Sequence, residues 1–488
     1  MTPPPSTSSP TSPPRVVVEQ ASGQALPEGI QFEVRTIQIS GNTVFDSDTL
    51  RALVADTLGK RLSLRQLETQ TGRITAHYRL AGYPLARAII PAQTIVDGSV
   101  RIEVIEARLG AVRLDNRSLV KKQQLESILA PLRAGDVISQ ASLDRPLLLI
   151  SDLSGVTPSA VIRPGGAVGT SDLEVRVDPG ATWAGRAQLD NAGNRYTGQQ
   201  RVSADASLFN PLNRGDVVTA SLLTSGQQLL SGRAAYASPV SSTGTRFNAA
   251  FSSLRYELGG SAADLLAHGD AVNGTVSIHH PLRRGTDWNV RAEVQGERLK
   301  LRDRVDSTGI RSDRRIDILS LRLQGDASGV PGRSAQVAWF LGATRGRLGF
   351  GDAASAAADA ASSRTSGGFG KIEGQLWITQ PVIAGATLTI SLRGQQAQGN
   401  LDASQKFSLG GPGAVRAYDV GSLSGDSAYL MSVEWRQGLP PLGAGIWEVV
   451  AFADRGHVTI NQRPWRTGLN SASLGAAGAR LMWSSPTA

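Results

Sequence analysis

The sequence has 488 residues, including 54 Gly, 24 Pro and no Cys, and its 50 Lys and Arg against 41 Asp and Glu give a net charge of +9. At ~100–200 residues per domain, this length allows two to four domains. The absence of Cys excludes disulfides, iron–sulfur clusters and Cys-ligated zinc. No run approaches the ~18 consecutive apolar residues that a helix spanning a membrane needs. The basic residues are scattered, without interleaved aromatics, which favours a solvated surface over a nucleic-acid site.

The N-terminus, MTPPPSTSSPTSPP, lacks the basic start and apolar run of a secretory signal. Residues 1–31 are rich in Pro, Ser and Thr and hold little apolar surface to offset the entropy of ordering. We therefore expect a disordered tail or linker over 1–31.

Residues 32–180 contain two copies of one small α/β pattern, which we place at 32–108 and 109–180. Each copy predicts a strand, two helices and two strands, because apolar residues recur first at helical spacing and then at every second position. Pro84 and Gly82 mark the end of a helix in the first copy. The order β-α-α-β-β, repeated after about 75 residues, predicts two domains of one fold.

Residues 181–488 change to segments of about ten residues in which apolar and polar side chains alternate, as in 288–297, 387–394 and 428–437. This period is that of a strand with two chemically different faces. Spanning strands need ~9–11 residues, which favours a transmembrane antiparallel barrel. We also assign Trp339, Trp377, Trp435 and Trp447 to the apolar face. About fourteen segments begin near residues 183, 199, 216, 228, 245, 269, 287, 312, 334, 368, 386, 427, 446 and 472.

Signatures of catalysis are sparse. The sequence lacks a phosphate loop, an H-E-x-x-H motif and a G-x-S-x-G motif. Of the five His, the adjacent His279 and His280 would point to opposite faces of a strand, so they do not suggest a shared metal. We predict neither an enzyme nor a bound metal or cofactor.

The long glycine-rich segment from Gly410 to Asp426 is unlike a tight hairpin, and bulky residues, including Arg416, stand in its middle. We expect a loop folded into a barrel lumen, with Arg416 paired to a carboxylate of the wall. Period-two alternation puts Phe452, Asp454 and Gly456 on one face of a later strand, which makes Asp454 the candidate partner. An arginine and a carboxylate can form two parallel charge-assisted hydrogen bonds.

Three motifs together resemble the TpsB transporters, the outer-membrane half of two-partner secretion systems, from about residue 32 onward. The motif residues are Asp190, Asn191, Gly193, Asn210, Pro211, Leu212, Gly215 and Asp216 at the start of the barrel; Val415, Arg416 and Tyr418 in the loop, with Ala417 in a glycine's place; and Phe452, Asp454 and Gly456 in the wall.

The resemblance implies two POTRA domains in the periplasm and a barrel, at 181–488, in the outer membrane of a Gram-negative bacterium. The POTRA domains would capture an unfolded exoprotein (a haemolysin, an adhesin or a contact-inhibition toxin) by strand addition, and the barrel would export it without nucleotide hydrolysis. Other implied partners are outer-membrane lipid or lipopolysaccharide and the barrel-assembly machinery, without nucleic acid. The loop and wall motifs would control the conformation of the lumen. The candidate client-binding edge comprises Ile74, Tyr78, Leu85, Arg87 and Ile89.

Three departures from the family pattern stand out. Family barrels have sixteen strands, so fourteen segments predict a C-terminally truncated barrel. Residues 1–31 show no amphipathic helix that could plug the pore. Ala417 restricts the backbone if the loop needs a positive φ there.

Two other functions fit parts of the sequence. An outer-membrane assembly factor of the same superfamily carries the same loop motif, usually with more POTRA units. A soluble basic β-protein that binds anions would explain the charge and the period-two strands without a membrane.

Overall fold

The computed structural model describes residues 16–18, 31–167, 169–226, 228–329, 334–440 and 445–485. The chain divides into two compact units, Met1–Gly180 and Ala181–Ala488. Within the described ranges, no helix is both long enough and apolar enough to cross a membrane.

The first unit contains two small α/β folds of the same topology. Its elements in chain order are β1 (Val16–Val18), β2 (Gln31–Glu33), β3 (Thr36–Ser40), α1 (Ser47–Ala52), β4 (Arg61–Ser63), α2 (Leu64–Leu80), β5 (Arg87–Ile89), β6 (Ser99–Ile105), β7 (Arg108–Asn116), α3 (Lys122–Leu129), α4 (Gln140–Ser151), β8 (Val156–Pro164) and β9 (Thr170–Pro179). The sheets have the orders β3-β6-β5 and β1-β8-β9-β7. In each, the opening strand, β3 or β7, lies parallel to the closing strand, β6 or β9. The predicted β-α-α-β-β repeat is confirmed.

Helix α2 shows how the sequence builds the first fold. A reciprocal capping box starts it: the Gln66 N–H donates to Ser63 Oγ at 3.3 Å, and the Ser63 N–H donates to Gln66 Oε1 at 2.9 Å. Ile74 and Tyr78 lie one turn apart and are fully buried against the sheet. Each such side chain contributes ~1.5–3 kcal/mol by leaving water. The helix gives way to Gly82, whose φ of 88° suits glycine.

A buried carboxylate, Glu106, ties this helix to the preceding loop. Its Oε1 accepts the N–H groups of Thr43 at 2.7 Å and Val44 at 2.8 Å and the Tyr78 hydroxyl at 2.7 Å, and the Thr43 hydroxyl donates to Oε2. Burial alone would raise the pKa of Glu106, but the surrounding donors stabilise its anion and hold the pKa below the ordinary value. Burial and the adjacent carboxylate raise the pKa of Tyr78.

Strand β1 lies parallel to β8, with Val16 opposite Ala160. The expected disorder of 1–31 is therefore wrong for Val16–Val18, since consecutive β-branched residues favour a strand that can extend an existing sheet. The remaining residues of this segment up to 30 lie outside the described residues.

The second unit is dominated by one large antiparallel sheet. The described strands of the second unit, including the separate pair β21 and β22, are β10 (Trp183–Asp190), β11 (Arg201–Phe209), β12 (Val217–Thr224), β13 (Leu229–Pro239), β14 (Arg246–Glu257), β15 (Ala267–Arg283), β16 (Trp288–Val305), β17 (Ile310–Ser328), β18 (Gln336–Phe350), β19 (Gly367–Ile383), β20 (Ala386–Ala397), β21 (Phe407–Leu409), β22 (Leu423–Gly425), β23 (Ser427–Gly438), β24 (Ile446–Thr459) and β25 (Ser471–Ser484). The unit also contains the helix α5 (Ala353–Ala360). The large sheet runs in sequence order from β10 to β20 and continues through β23 to β25. Its fourteen strands begin within two residues of the predicted starts, which confirms the antiparallel architecture.

The two faces of this sheet differ in chemistry. We define the inner face as the one that carries Ser432 and Asp454, which are register partners on β23 and β24. The outer face of every strand keeps a large apolar side chain exposed: Leu189, Val202, Leu222, Leu230, Phe251, Val276, Val294, Leu321, Leu341, Ile372, Leu392, Met431, Val449 and Leu481. An apolar outer face and a polar inner face are the arrangement of a membrane-spanning barrel wall.

One of the four tryptophan assignments is wrong. Trp339, Trp435 and Trp447 share the outer face, whereas Trp377 stands opposite Ser391 on the inner face. The reason is the unbroken alternation of β19, which puts Trp377 on the same side as Lys371.

We predict that the first α/β fold loses stability in acid through Glu106. The unfolded pKa of a glutamate is about 4.3 and the folded pKa lies lower, so the stabilisation is present above that value and is lost as pH falls through the folded pKa. Glu106→Gln should cost about 1–3 kcal/mol at neutral pH, because it removes the anion and replaces the acceptor of the Thr43 hydroxyl by an amide donor, and it should flatten the acid dependence. Hydrogen exchange of the α2 amides in the full chain measures both effects.

Glu33→Gln is the matched control, since the Glu33 side chain is 48% exposed and pairs with an exposed Arg35. A surface pair of this kind contributes about 0–1 kcal/mol. Equal changes in the exchange of α2 for the two substitutions would contradict the role of Glu106.

Candidate functional site

The chain between β20 and β23 lies against the inner face of the sheet. Strands β21 and β22 pair antiparallel and form the base of this loop. Leu409 and Val415 are fully buried and form one cluster with Leu430 of β23 and Val458 of β24. Because these apolar side chains leave water together, the loop is packed against the wall rather than extended into solvent.

Arg416 is the centre of the polar contacts between loop and wall. Its Nε donates to Asp454 Oδ2 at 2.8 Å and its Nη2 to Oδ1 at 2.7 Å, in a bidentate pair. Its backbone N–H donates to Asp454 Oδ2 at 3.0 Å. Nη1 donates to Glu434 Oε2 at 2.7 Å, and Nη2 also to Ser432 Oγ at 2.9 Å. The Asp454 side chain is 0% exposed and that of Arg416 15%, so water screens the pair weakly.

The two other wall residues of the motif, Phe452 and Gly456, lie directly against the loop. The guanidinium carbon of Arg416 lies 3.7 Å from the centre of the Phe452 ring, a cation–π arrangement. At Gly456, a Cβ would stand only 2.7 Å from Leu409 Cδ2. A side chain at Gly456 would therefore force the buried Leu409 side chain to move from its place between the loop and the wall.

The neighbours of Arg416 in the loop anchor it on both sides. Val415 is 0% exposed. The Tyr418 hydroxyl donates to the Gly475 carbonyl of β25 at 3.3 Å. Between them, Ala417 has a φ of 76°, so the loop does need a positive φ where this chain has alanine. A left-handed alanine costs ~1–2 kcal/mol relative to its preferred backbone.

Sequence reasoning missed two carboxylates. Glu434 shares the inner face with Ser432, a signal visible in the alternation, but its contact with Arg416 depends on where the loop lies. Asp426 is 0% exposed at the foot of the loop, where its oxygens accept the N–H groups of Leu401 at 3.0 Å and Gln462 at 2.8 Å. Lys406 Nζ lies 3.0 Å from Asp426 Oδ1 and balances the buried charge.

The motif at the start of the barrel is divided between two connections. Asp190, Asn191 and Gly193 lie at the end of β10 and just after it, where Asp190 pairs with Arg201 at 2.8 Å. Residues 210–216 build the turn between β11 and β12. Asn210, with a φ of 57°, accepts the Gly215 N–H on its Oδ1 at 2.7 Å. Asp216 is 0% exposed and accepts the Leu212 N–H at 3.2 Å. These side chains satisfy the turn's own backbone, so we assign them a structural role.

The predicted client-binding edge is divided by the structure. Arg87 and Ile89 lie on β5, an edge strand of its sheet, and both are exposed there. Leu85 is partly buried against the core of the second fold. Ile74 and Tyr78 are 0% exposed, so their prediction as client-contacting residues is wrong. Their helical spacing reflects the core of the first fold.

We predict that Arg416 and Asp454 act as one unit in a double-mutant cycle. Arg416→Ala and Asp454→Ala should each destabilise the second unit by up to about 3–5 kcal/mol, because the first leaves the buried Asp454 carboxylate without a cation and the second leaves Arg416 with Glu434 alone. The double variant should lose little more than either single variant. Calorimetric unfolding of the full chain in detergent measures the losses.

Arg436→Ala serves as the control for that cycle. Arg436 also pairs with Glu434, at 2.8 Å, but its side chain is 39% exposed. We expect it to cost about 0–1 kcal/mol. Additive losses for Arg416→Ala and Asp454→Ala would contradict the direct coupling.

The family of haemolysin secretion/activation proteins ShlB/FhaC/HecB matches residues 169–478, and the ShlB-type POTRA domain matches residues 32–107. The heme/hemopexin transporter protein HuxB of Haemophilus influenzae is 26% identical over 461 residues, which cover 93% of this chain and 81% of HuxB. The outer membrane transporter CdiB of Escherichia coli is 27% identical over 205 residues, 42% of this chain and 34% of CdiB.

Solved structures show the same fold. CdiB from Escherichia coli has a TM-score of 0.70 at 22% identity and covers 96% of this chain and 86% of its own. BamA from Haemophilus ducreyi, lacking POTRA domains 1–3, has a TM-score of 0.53 at 14% identity, with 93% and 94% covered. Because the family match spans well over half of the chain and encloses both the loop and the wall that hold Arg416 and Asp454, we conclude that this chain belongs to the ShlB/FhaC/HecB family, the TpsB transporters of two-partner secretion.

Proposed function

We propose that this chain is the pore through which a two-partner secretion system moves an unfolded exoprotein across the outer membrane. The observation that carries the proposal is the pairing of Arg416 with Asp454 on the inner face of a sheet whose outer face is apolar. A wall of this kind faces lipid on one side and holds a loop on the other. Releasing that loop would change the space available to a client.

The proposed organisation follows the order of the chain. A first POTRA domain at 32–108 and a second at 109–180 lie in the periplasm, and the barrel at 181–488 lies in the outer membrane, after the tail at 1–31. The match of an ShlB-type POTRA domain to 32–107 supports the first of these boundaries. The division of the chain after Gly180 supports the start of the barrel.

Transport through this pore would not rest on catalysis by the chain. The family is one of transporters, and the sequence carries no nucleotide-binding motif. We propose that export draws its direction from folding of the client outside, which removes the extended chain from the exit of the pore.

The client belongs to the class of large secreted exoproteins. The relatives are called a heme/hemopexin transporter, a hemolysin transporter and the outer membrane transporter CdiB. A haemolysin, an adhesin and a contact-inhibition toxin would all enter the pore as extended chains. We therefore propose a secreted exoprotein as the client, and the experiment below compares these three kinds. Outer-membrane lipid and the barrel-assembly machinery complete the proposed partners.

Neither alternative function, the outer-membrane assembly factor or the soluble anion-binding protein, is favoured over export. The likeness to BamA concerns the fold, and the ShlB-type POTRA match favours an exporter over an assembly factor. Membership in a family of secretion proteins, with outer membrane transporters among the relatives, argues against the soluble anion-binding protein.

The proposal is tested by secretion from a Gram-negative host that makes the full chain together with one candidate exoprotein at a time. We expect one class of exoprotein to reach the medium, and Arg416→Ala to reduce its amount at equal levels of heat-modifiable barrel. Arg455→Ala is the matched control, since Arg455 is the next residue after Asp454 and faces outward. An inserted chain that leaves every candidate in the periplasm would overturn the proposal.

Client capture would use the free edge of β5. The Ala88 N–H, which an added strand would need, donates instead to Thr75 Oγ1 of α2 at 3.0 Å. The edge is therefore partly occupied by the protein's own side chain, and a client strand must displace that hydroxyl.

We predict that Thr75→Val strengthens client binding, because it frees the Ala88 N–H without changing side-chain shape. A hydrogen bond contributes about 1 kcal/mol net, so the gain should be roughly fivefold in affinity. Ile89→Asp should weaken binding by placing a charge on the same edge. Fluorescence anisotropy with the N-terminal domain of the exported protein measures both.

Thr69→Val is the control for that measurement. Thr69 lies on the same helix, where its hydroxyl donates to the Arg65 carbonyl at 3.0 Å. Unchanged affinity for Thr75→Val and Ile89→Asp would remove β5 from the proposed capture site.

A further inference from the structure

A group of six cationic side chains lies on the outer face of β16–β18, on the parts of these strands that extend beyond the exposed apolar side chains toward Val305 and Ile310. We call it the outer basic patch; its members are Arg298, Lys300, Arg302, Arg315, Arg345 and Arg347. All six are exposed. The strand register gathers them: Lys300 stands opposite Arg315, and Arg345 and Arg347 stand opposite Leu319 and Asp317.

Only two carboxylates, Asp317 and Asp270, pair with this group within the part of the chain that the structure describes. Asp317 is shared, with Arg298 Nε at 2.5 Å from Oδ1 and Arg315 Nη2 at 2.9 Å from Oδ2. Asp270 Oδ2 lies 3.9 Å from Arg302 Nη1. Among the same described residues, the side chains of Lys300, Arg345 and Arg347 have no hydrogen bond or ion pair. The patch therefore carries a net excess of four positive charges.

The patch begins where the apolar belt ends. Leu319 and Leu321 on β17 are 55% and 56% exposed, and Val276 and Ile278 on β15 are 53% and 52% exposed. Arg345 is the register partner of Leu319, so apolar and cationic side chains adjoin without an intervening row. Such a boundary is where hydrocarbon gives way to lipid headgroups.

The direction of the strands identifies the side of the membrane. Strand β10 begins three residues after the first unit ends at Gly180, so its first residue marks the periplasmic end of the wall. Alternating strands carry β16 from that end to Val305 at the far end. The patch lies on this far part of β16 and therefore faces the outer leaflet.

We propose that the outer basic patch binds the phosphate groups of an anionic glycolipid headgroup in the outer leaflet. Guanidinium groups match phosphate oxygens in a bidentate manner, and unpaired cations beside the apolar belt lie at headgroup depth. A merely solvated surface would not require the cations to gather on the lipid-facing side directly above the belt. The inference rests on the placement in the outer membrane and is independent of which protein is exported.

The test uses the full chain in detergent with purified bisphosphorylated lipid A, measured by native mass spectrometry and by microscale thermophoresis. Arg345→Gln/Arg347→Gln removes two cations that hold no ion pair within the described ranges, so folding is spared. Because each charge is expected to contribute about fivefold to affinity, the loss of two should lower the affinity roughly twenty-five-fold. Binding should also weaken as salt is raised.

Arg186→Gln/Arg233→Gln is the matched control, because both arginines face inward on β10 and β13. We expect it to bind lipid A as the unaltered chain does. Lipid A without phosphates should bind poorly, and inorganic phosphate should compete only weakly. Equal affinity of the two double variants, equal binding of phosphate-free lipid A, or inorganic phosphate binding as tightly as the lipid would overturn the proposal.

Discussion

The buried carboxylate of Asp454 constrains the rest of the second unit. A charge removed from water must be paired, and Arg416 supplies two side-chain hydrogen bonds and one from its backbone. That demand keeps a glycine-rich segment on the wall although Ala417 is held at an unfavourable φ of 76°. Gly456 and Phe452 fit the same contact, one by leaving room and one by covering the guanidinium.

The large sheet has two chemically different faces, which lets it hold the loop on one side and contact lipid on the other. Every strand of the sheet from β10 to β25 keeps an exposed apolar side chain on the outer face, so lipid can surround this belt, and the inner face offers the polar groups that bind the loop. The outer basic patch would place cationic side chains next to the lipid headgroups, just beyond the apolar belt. The first unit adds an edge strand, β5, whose Ala88 N–H donates to the Thr75 hydroxyl and would have to be released for the proposed pairing with a client strand.

The sequence predicts those features that depend on local period and on spacing. Fourteen strand starts followed from alternation, and Arg416 with Asp454 followed from a loop of bulky residues opposite an inward carboxylate. Features that depend on tertiary register did not follow: Glu434 and Asp426 need the loop's position, and Glu106 needs the approach of Thr43 from 63 residues away. The prediction that the buried Ile74 and Tyr78 contact a client was wrong because the same helical spacing of apolar residues is found in a buried core and on a binding surface.

The central claim is that Arg416 holds the loop within the lumen, and ion conductance of the full chain in planar lipid bilayers tests it most directly. Our account predicts small conductance for the unaltered chain and for Arg455→Ala, and larger conductance for Arg416→Ala, because an unpaired loop no longer stays on the inner wall. Equal conductance of all three proteins, inserted in equal number, would contradict it.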